Sequence, residues 1–206
     1  MPLACERRSR RYVPEMARKP RIQVADVIYH VTSRGVEKRA IFDVFTGDRE
    51  LFLVLLAAVV VRYGWRVHAY CLMGNHFHLV VETPDANLAA GMQFLKGQYA
   101  IWFNNNTARE GALFERRYRS ELVEREAHAY ELARYVVLNP VRAMLCAHPR
   151  DWRWSNYLAA VGAAPAPPFL YRRGLHDLFG DGPRGIAAYE RFVEDGIALL
   201  RLQAVA

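Results

Sequence analysis

The stretch NHFHLVVETP, residues 75–84, decides the fold and organises the rest of the chain. Two histidines separated by one apolar residue run directly into β-branched residues and end at a proline, a pattern that predicts a buried strand. Alternate residues of a strand share one face, so His76 and His78 point the same way, about 6 to 7 Å apart at the backbone. That separation suits two ligands of one metal ion. A pair of ordinary core or surface histidines is the alternative.

The composition indicates a globular protein with a basic surface. The chain has 206 residues, of which 52% are hydrophobic and 24% charged, enough for one domain with a good core. The formal net charge is +7, and a basic surface suits a polyanionic partner such as nucleic acid. Cys5, Cys71 and Cys146 are widely spaced and form no CxxC pair, which predicts neither a disulfide framework nor a zinc-thiolate site.

The sequence also contains information on membrane-spanning segments and export signals. The longest apolar run, Leu51 to Val61, is too short to span a bilayer and ends at Arg62. No apolar core follows the N-terminal arginines, so no export signal is predicted. We therefore expect a cytoplasmic protein without a membrane partner.

Periodicity divides the chain into strands and helices. Strands are predicted at 24–32, at 65–72, from His76 onward, and at 113–123 as a strand or hairpin. Helices are predicted from Asp48, as N-cap, to Tyr63, from about 88 to 104, and from His128 to Leu138, with Pro140 ending or kinking the last. The simplest solution is an α+β fold, a ferredoxin-like βαββαβ antiparallel sheet with helices on one face.

Strict alternation assigns each residue of the second strand to a face. It predicts Trp65, Val67, Ala69 and Cys71 on one side, and Arg66, His68, Tyr70 and Leu72 on the other. In the first strand it puts His30, Thr32 and Arg34 on one face.

The chain is predicted to have three parts. Residues 1–15 carry four arginines without periodicity and are expected to be a disordered basic arm. Residues 16–160 form the main domain. Residues 161–206 comprise a short stiff linker of alanine and proline and then a helical tail, roughly Arg184 to Leu202.

A second segment, Tyr130 to Ala143, offers polar groups for chemistry with a metal ion. Neutral imidazoles bind Mg, Mn or Zn, and an ion with only two protein ligands remains open to a phosphate oxygen. Tyr135 and Asn139 are four residues apart, so on a continuous helix their side chains lie on one face. Asn139 precedes a proline, which disfavours the helical conformation there. Its alternative role is to cap a turn beginning at Pro140.

Several basic and acidic residues are further candidates. Arg116, Arg117, Arg119 and Arg142 are predicted to contact phosphates, although an arginine-rich strand can also be a solvated edge. Arg34 and Gly35 follow the first strand and either let DNA approach the backbone or form an ordinary turn. His68 and Glu82 either support the metal ligands or lie on the surface.

These segments resemble the REP-associated tyrosine transposases, within the single-tyrosine HUH superfamily that includes the transposases of single-strand insertion sequences. The resemblance covers most of residues 16–160 and is most specific at residues 75–78 and at the run Leu138-Asn139-Pro140-Val141-Arg142. It implies that residues 16–160 are an HUH nuclease domain that cleaves and rejoins single-stranded DNA near hairpins formed by palindromic repeats.

The resemblance also implies roles for individual residues. His76 and His78 would hold a divalent cation, Mg²⁺ or Mn²⁺, and Asn139 stands where related enzymes carry a polar third ligand. Tyr135 would attack the phosphate, leaving a 5′-phosphotyrosine and a free 3′-hydroxyl, with Tyr118 and Tyr130 as second and third choices. The partner would be single-stranded hairpin DNA, bound by a monomer or homodimer at the nucleoid of a bacterial cytoplasm.

Three positions depart from the family pattern, and two other functions stay open. Gly74 stands in place of proline, Val36 in place of asparagine and Glu115 in place of glutamine, which puts the DNA contacts of the last two loops in doubt. One alternative function is a non-catalytic regulator that binds hairpin DNA or RNA. The other is a hydrolytic metal-dependent nuclease in which water attacks instead of Tyr135.

Overall fold

The computed structural model describes residues 23–107, 109–123 and 126–205. The predicted basic arm, residues 1–15, lies outside the described residues. In chain order the elements are β1 (Val27–Arg34), α1 (Asp48–Tyr63), β2 (Arg66–Leu72), β3 (His76–Thr83), α2 (Leu88–Thr107), β4 (Arg119–Leu122), α3 (Glu126–Arg142), α4 (Tyr157–Ala160), α5 (Arg173–Phe179) and α6 (Gly182–Val205). Within this described part, no helix is long and apolar enough to cross a membrane.

The four strands form one antiparallel sheet in the order β2-β3-β1-β4. This order, joined by α1 and α2 as the two crossovers, is the ferredoxin-like arrangement, and the predicted fold class is confirmed. β3 lies at the centre beside β1, with Thr32 opposite His78 and Arg34 opposite His76. The histidine strand therefore has neighbours on both sides, and the first strand brings polar residues to its histidine end.

One face of the sheet packs against α1 and α2 to form the main core. Phe77, Leu79 and Val81 of β3 point to this face, on the side opposite to the histidines. The helices contribute apolar residues spaced three and four apart, so each buries one stripe: Phe52, Leu56 and Val59 from α1, and Leu88, Met92, Leu95 and Tyr99 from α2. Because this packing buries one face of β3 against α1 and α2, the histidines lie on the opposite face of the sheet.

Close packing of α2 on Trp65 leads to a stability prediction. A Cβ added at Gly91 would lie 2.2 Å from the Trp65 ring, whereas one added at Gly97 of the same helix meets nothing within 4 Å. We expect Gly91→Ala to destabilise the protein by about 1–3 kcal/mol through overpacking, more than the gain in helix propensity of roughly 1 kcal/mol. Gly97→Ala should gain that propensity without a clash. Urea unfolding of both variants checks the two signs, and equal stabilisation would contradict the packing argument.

The helix α3 crosses the other face of the sheet. Leu132 and Val136 pack on Ala69, Cys71 and Val80, the apolar end of that face. Behind α3 lies α6, whose buried residues Tyr189, Val193 and Ile197 share a cluster with residues of α3, namely Ala133, Val137 and Leu138. The helix is therefore held between the sheet and α6, and its position along the histidine strand is determined by packing on both sides.

The structure differs from the sequence predictions at several points. A β-bulge between Val67 and Ala69 shifts the register of β2, so strict alternation was wrong: Val67, Tyr70 and Leu72 reach the main core, while Ala69 and Cys71 face α3. The N-cap of α1 is Gly47, and the Asp48 carboxylate accepts hydrogen bonds from the upstream backbone instead.

The C-terminal part of the chain packs closely on the rest. Phe169 and Leu170 join the main core, and the Tyr171 N–H donates to the Val67 carbonyl at 2.8 Å. Leu170 and Tyr171 therefore lie beside Val67 of β2, and the tail helix α6 packs on α3.

Candidate active site

The two histidines of β3 lie on the face of the sheet covered by α3. Their ring centroids are 5.1 Å apart; His78 is buried and His76 half-buried. Burial lowers the pKa of His76 to about 4 and that of His78 to about 3, with nearby positive charge as a smaller cause. Both rings are therefore neutral at neutral pH, the form in which imidazole binds a metal ion.

Tyr135 of α3 faces the histidines directly. Its half-buried ring lies edge-on to His78, with ring centroids 5.8 Å apart, and at the same distance from His30 of β1. The Arg142 guanidinium lies over the Tyr135 ring, 5.1 Å from its centroid. A tyrosine, an imidazole pair and an arginine thus meet at one point between β3 and α3.

Asn139 lies one turn after Tyr135, and its side chain explains how α3 continues past a proline. The helix runs through Pro140 to Arg142, so the prediction that it ends at Pro140 was wrong. Pro140 has no N–H to donate to the Val136 carbonyl. The Asn139 side-chain amide donates to that carbonyl at 3.3 Å and to the Tyr135 carbonyl at 2.9 Å. Its nitrogen is thus used by the backbone, and its carbonyl oxygen is the remaining group for the cleft.

The predicted metal ligands, the predicted nucleophile and the predicted DNA-binding arginines line one cleft of about 650 Å³ between the sheet and α3. The cleft brings together His76, His78, Tyr135, Asn139 and the five predicted arginines, Arg34, Arg116, Arg117, Arg119 and Arg142. The arginines are exposed, and among them Arg116 contacts the Glu115 carboxylate at 3.5 Å. A rim of positive side chains around neutral histidines suits a phosphodiester chain lying across the opening.

His30 is a cleft residue to which the sequence analysis gave no role. It is buried on β1, and its Nε2 lies 3.0 Å from Nδ1 of His78. Alternation put it on the same face as Arg34, but its distance from His78 depends on the pairing of β1 with β3, which no local pattern reveals. Glu121, His128 and Glu131 also line the cleft and were not predicted.

The alternative tyrosines lie elsewhere. Tyr118 is buried in the main core, on the side of the sheet opposite to the histidines. The Tyr130 ring packs against Phe179 and Phe192, with centroids 4.5 and 4.2 Å apart. Neither lines the cleft that contains the histidine pair.

His68 and Glu82 do not support the histidine pair. They bind each other, with His68 Nε2 3.0 Å from the Glu82 carboxylate, and Arg66 pairs with the same carboxylate. These residues line a separate cavity near α5. Their role is to join β2 to β3 at the end of the sheet distant from Tyr135.

The donors in the cleft fit a cation held by few protein ligands. In the described ranges, no three His, Cys, Asp or Glu side chains are grouped so that they could hold a metal ion. The groups that line the cleft and are of types that bind divalent cations include two neutral imidazoles and the amide oxygen of Asn139.

Comparisons with known proteins identify the family of the chain. Residues 23–139 match the family model "Transposase IS200 like". Over 117 residues the chain is 27% identical to a protein of Haemophilus influenzae named as a candidate REP-associated tyrosine transposase. The match covers 52% of this chain and 66% of that relative, so it spans just under two thirds of the relative's length.

A solved structure has the same fold. It is a REP-associated tyrosine transposase bound to a REP hairpin, and it superposes with a TM-score of 0.60 at 15% sequence identity. The superposition covers 75% of this chain and 90% of that one.

Proposed function

The chain belongs to the IS200-like transposase family, and from this premise we propose that it cleaves and rejoins single-stranded DNA next to hairpins, with Tyr135 as the nucleophile. The observation that carries the proposal is the meeting of the Tyr135 ring with His78 in a cleft rimmed by arginines. A module that only binds DNA needs neither a neutral histidine pair nor a tyrosine beside it. The relative solved with a REP hairpin supports hairpin DNA as the substrate class.

The proposed metal ligands are His76, His78 and Asn139. A divalent cation held there would polarise the scissile phosphate and lower the barrier to attack. Asn139 depends on its bond to the helix backbone for its orientation, because the amide nitrogen is held by the Tyr135 and Val136 carbonyls. The same helix therefore positions the nucleophile and the third ligand, one turn apart.

Tyr135 supplies the covalent step. As its oxygen bonds to phosphorus, the bond from phosphorus to the 3′ oxygen breaks, leaving a 5′-phosphotyrosine and a 3′-hydroxyl. The tyrosine releases one proton and the leaving oxygen takes up one, so the step is balanced. Because the phosphotyrosine retains the energy of the phosphodiester, a 3′-hydroxyl can later attack it and rejoin the strand.

The test of this function is a covalent complex. A labelled single-stranded hairpin with flanking nucleotides is incubated with the protein and Mg²⁺ or Mn²⁺, and denaturing electrophoresis follows. We expect a labelled band at the mass of protein plus DNA, together with a free 3′-hydroxyl product. Products without that band would indicate water as the nucleophile.

The exposed arginines are proposed to contact the DNA backbone. Neutralising one of them, as in Arg119→Gln, should weaken hairpin binding and reduce the slope of log K against log salt by about 0.7, the value for one single-strand phosphate contact. Arg153→Gln is the matched control, because Arg153 pairs with Glu50 outside the cleft. Fluorescence anisotropy over a salt series measures both. An unchanged slope for all five predicted arginines would put the DNA elsewhere.

A further inference from the structure

Each histidine of the pair has one ring nitrogen occupied by a neighbouring side chain. His76 Nδ1 lies 2.6 Å from the Asn75 side-chain oxygen. His78 Nδ1 lies 3.0 Å from His30 Nε2. In both rings the occupied atom is Nδ1, so the nitrogen left for any other ligand is Nε2 in both.

The proton on His76 can be assigned from the contacts of Asn75. The Asn75 amide nitrogen donates to the Lys38 carbonyl at 2.8 Å, and a carbonyl can only accept. The other end of the amide, Oδ1, therefore faces His76 and can only accept as well. Nδ1 of His76 must carry the proton, which leaves a lone pair on Nε2.

The contact between His30 and His78 has the geometry of a hydrogen bond. The two rings are tilted by only 13°, and their centroids are 5.3 Å apart. With the nitrogens 3.0 Å apart, this separation is about the N···N distance plus the two ring radii, so both nitrogens lie close to the line between the ring centres. Lone pairs that point at each other along this line cannot converge on a third atom. His30 therefore does not act as another ligand of the same ion through this nitrogen.

We propose that His30 and Asn75 are positioning residues that hold the Nδ1–H of His78 and His76, respectively, and so direct both Nε2 atoms to the metal ion. The inference rests on the proposed function, in which His76 and His78 bind that ion. His30 accepts the proton of His78 through Nε2. Partners of this kind orient a metal-binding imidazole and make it a better ligand.

The backbone around Asn75 is built to hold this arrangement. The Gly35 N–H donates to the Asn75 carbonyl at 2.8 Å, and the Ile41 and Phe42 N–H groups donate to the preceding Gly74 carbonyl at 3.0 Å each. The Lys38 carbonyl that orients the Asn75 amide comes from a turn in which Glu37 and Lys38 both have positive φ, 54° and 58°. Such conformations are costly for residues with a side chain and persist where surrounding contacts enforce them.

The first readout is the tautomer of each histidine in the metal-free protein at neutral pH, from two-bond ¹H–¹⁵N correlation spectra. In the wild type we expect His76 and His78 both to carry the proton on Nδ1. In His30→Phe, which keeps an aromatic ring but removes the acceptor, His78 should populate the Nε2–H form while His76 stays unchanged. In Asn75→Ala the opposite is expected: the tautomer of His76 should change and that of His78 should stay as in the wild type.

The second readout is Mn²⁺ affinity, measured by titration calorimetry. We expect His30→Phe to bind Mn²⁺ about 10- to 100-fold more weakly, the range for partners of metal-binding histidines. His30→Gln should recover most of the affinity, because its carbonyl can accept from Nδ1–H. The matched control is His128→Phe, since His128 lines the same cleft without a hydrogen bond to either histidine of the pair among the described contacts.

The outcomes separate this inference from the proposed function. A wild-type His78 with its proton on Nε2, or a His30→Phe variant with wild-type tautomers and affinity, would overturn the role of His30. The wild-type spectrum decides this even if His30→Phe does not fold. If the wild type binds no Mn²⁺ but His30→Phe still shifts the tautomer of His78, the metal in the proposed function fails and the assignment of His30 stands.

Discussion

Tyr135→Phe is expected to abolish the covalent protein-DNA product while hairpin binding and the fold are retained. The substitution removes only the hydroxyl, and the ring can still pack edge-on against His30 and His78 beneath Arg142. Removing the nucleophile of a covalent enzyme lowers its rate by roughly 10⁴-fold or more. The measurements are the covalent band on denaturing gels, anisotropy with the same hairpin, and the melting temperature.

Tyr130→Phe is the matched control for this experiment. Tyr130 lies on the same helix, but its ring packs between Phe179 and Phe192, away from the cleft. The Tyr130→Phe variant should cleave DNA like the wild type. Cleavage that persists in Tyr135→Phe would contradict the assignment, and its products then distinguish two cases. Free 5′-phosphate without a covalent band indicates hydrolysis, whereas a persisting band indicates another tyrosine.

His76→Ala is expected to lose cleavage by more than about a hundredfold, beyond the loss usual for a residue that only supports a metal ligand. His76 is half-buried, so the substitution leaves a smaller cavity than at the buried His78. Chelation of divalent ions should have the same effect on the wild type. Because one imidazole and Asn139 remain, excess Mn²⁺ should restore part of the activity of His76→Ala but none of the activity of Tyr135→Phe.

His128→Ala separates metal binding from a general effect of removing a histidine. His128 lines the same cleft from α3. We expect the cleavage activity of His128→Ala to respond to chelation as that of the wild type does. Wild-type cleavage that continues in the presence of excess chelator would contradict the metal assignment. A wild type that binds hairpins but never cuts them with any divalent ion would favour the non-catalytic regulator.

The local patterns of the sequence were sufficient for the fold class and for the placement of the histidine pair and Tyr135 in the candidate site. Alternation identified β3 and put His76 and His78 on one face, and helical spacing identified α1, α2 and the helix of Tyr135. These features depend on residues two to four apart in the chain, where backbone geometry alone determines which side chains are neighbours. The family pattern then suggested roles for His76, His78 and Tyr135, and the variants described above test these roles.

Only the tertiary structure decided the features that depend on distant segments. The β-bulge at Val67 and Ala69 reverses the faces of β2, because one extra residue shifts every later side chain of the strand to the other side. α3 continues past Pro140, where the Asn139 side-chain amide donates to the Val136 carbonyl in place of the N–H that proline lacks. The rule that disfavours helix at a residue before proline does not take such a side-chain donor into account.

His30 is the clearest case. It is 48 positions from His78 in the chain, and the two rings meet only because β1 pairs with β3 in one register. Strand order and register are set by how the whole sheet buries its apolar face, which is a property of all four strands and the helices on them. The sequence by itself therefore determined which histidines of β3 share a face, and the tertiary structure decided that His30 lies against His78.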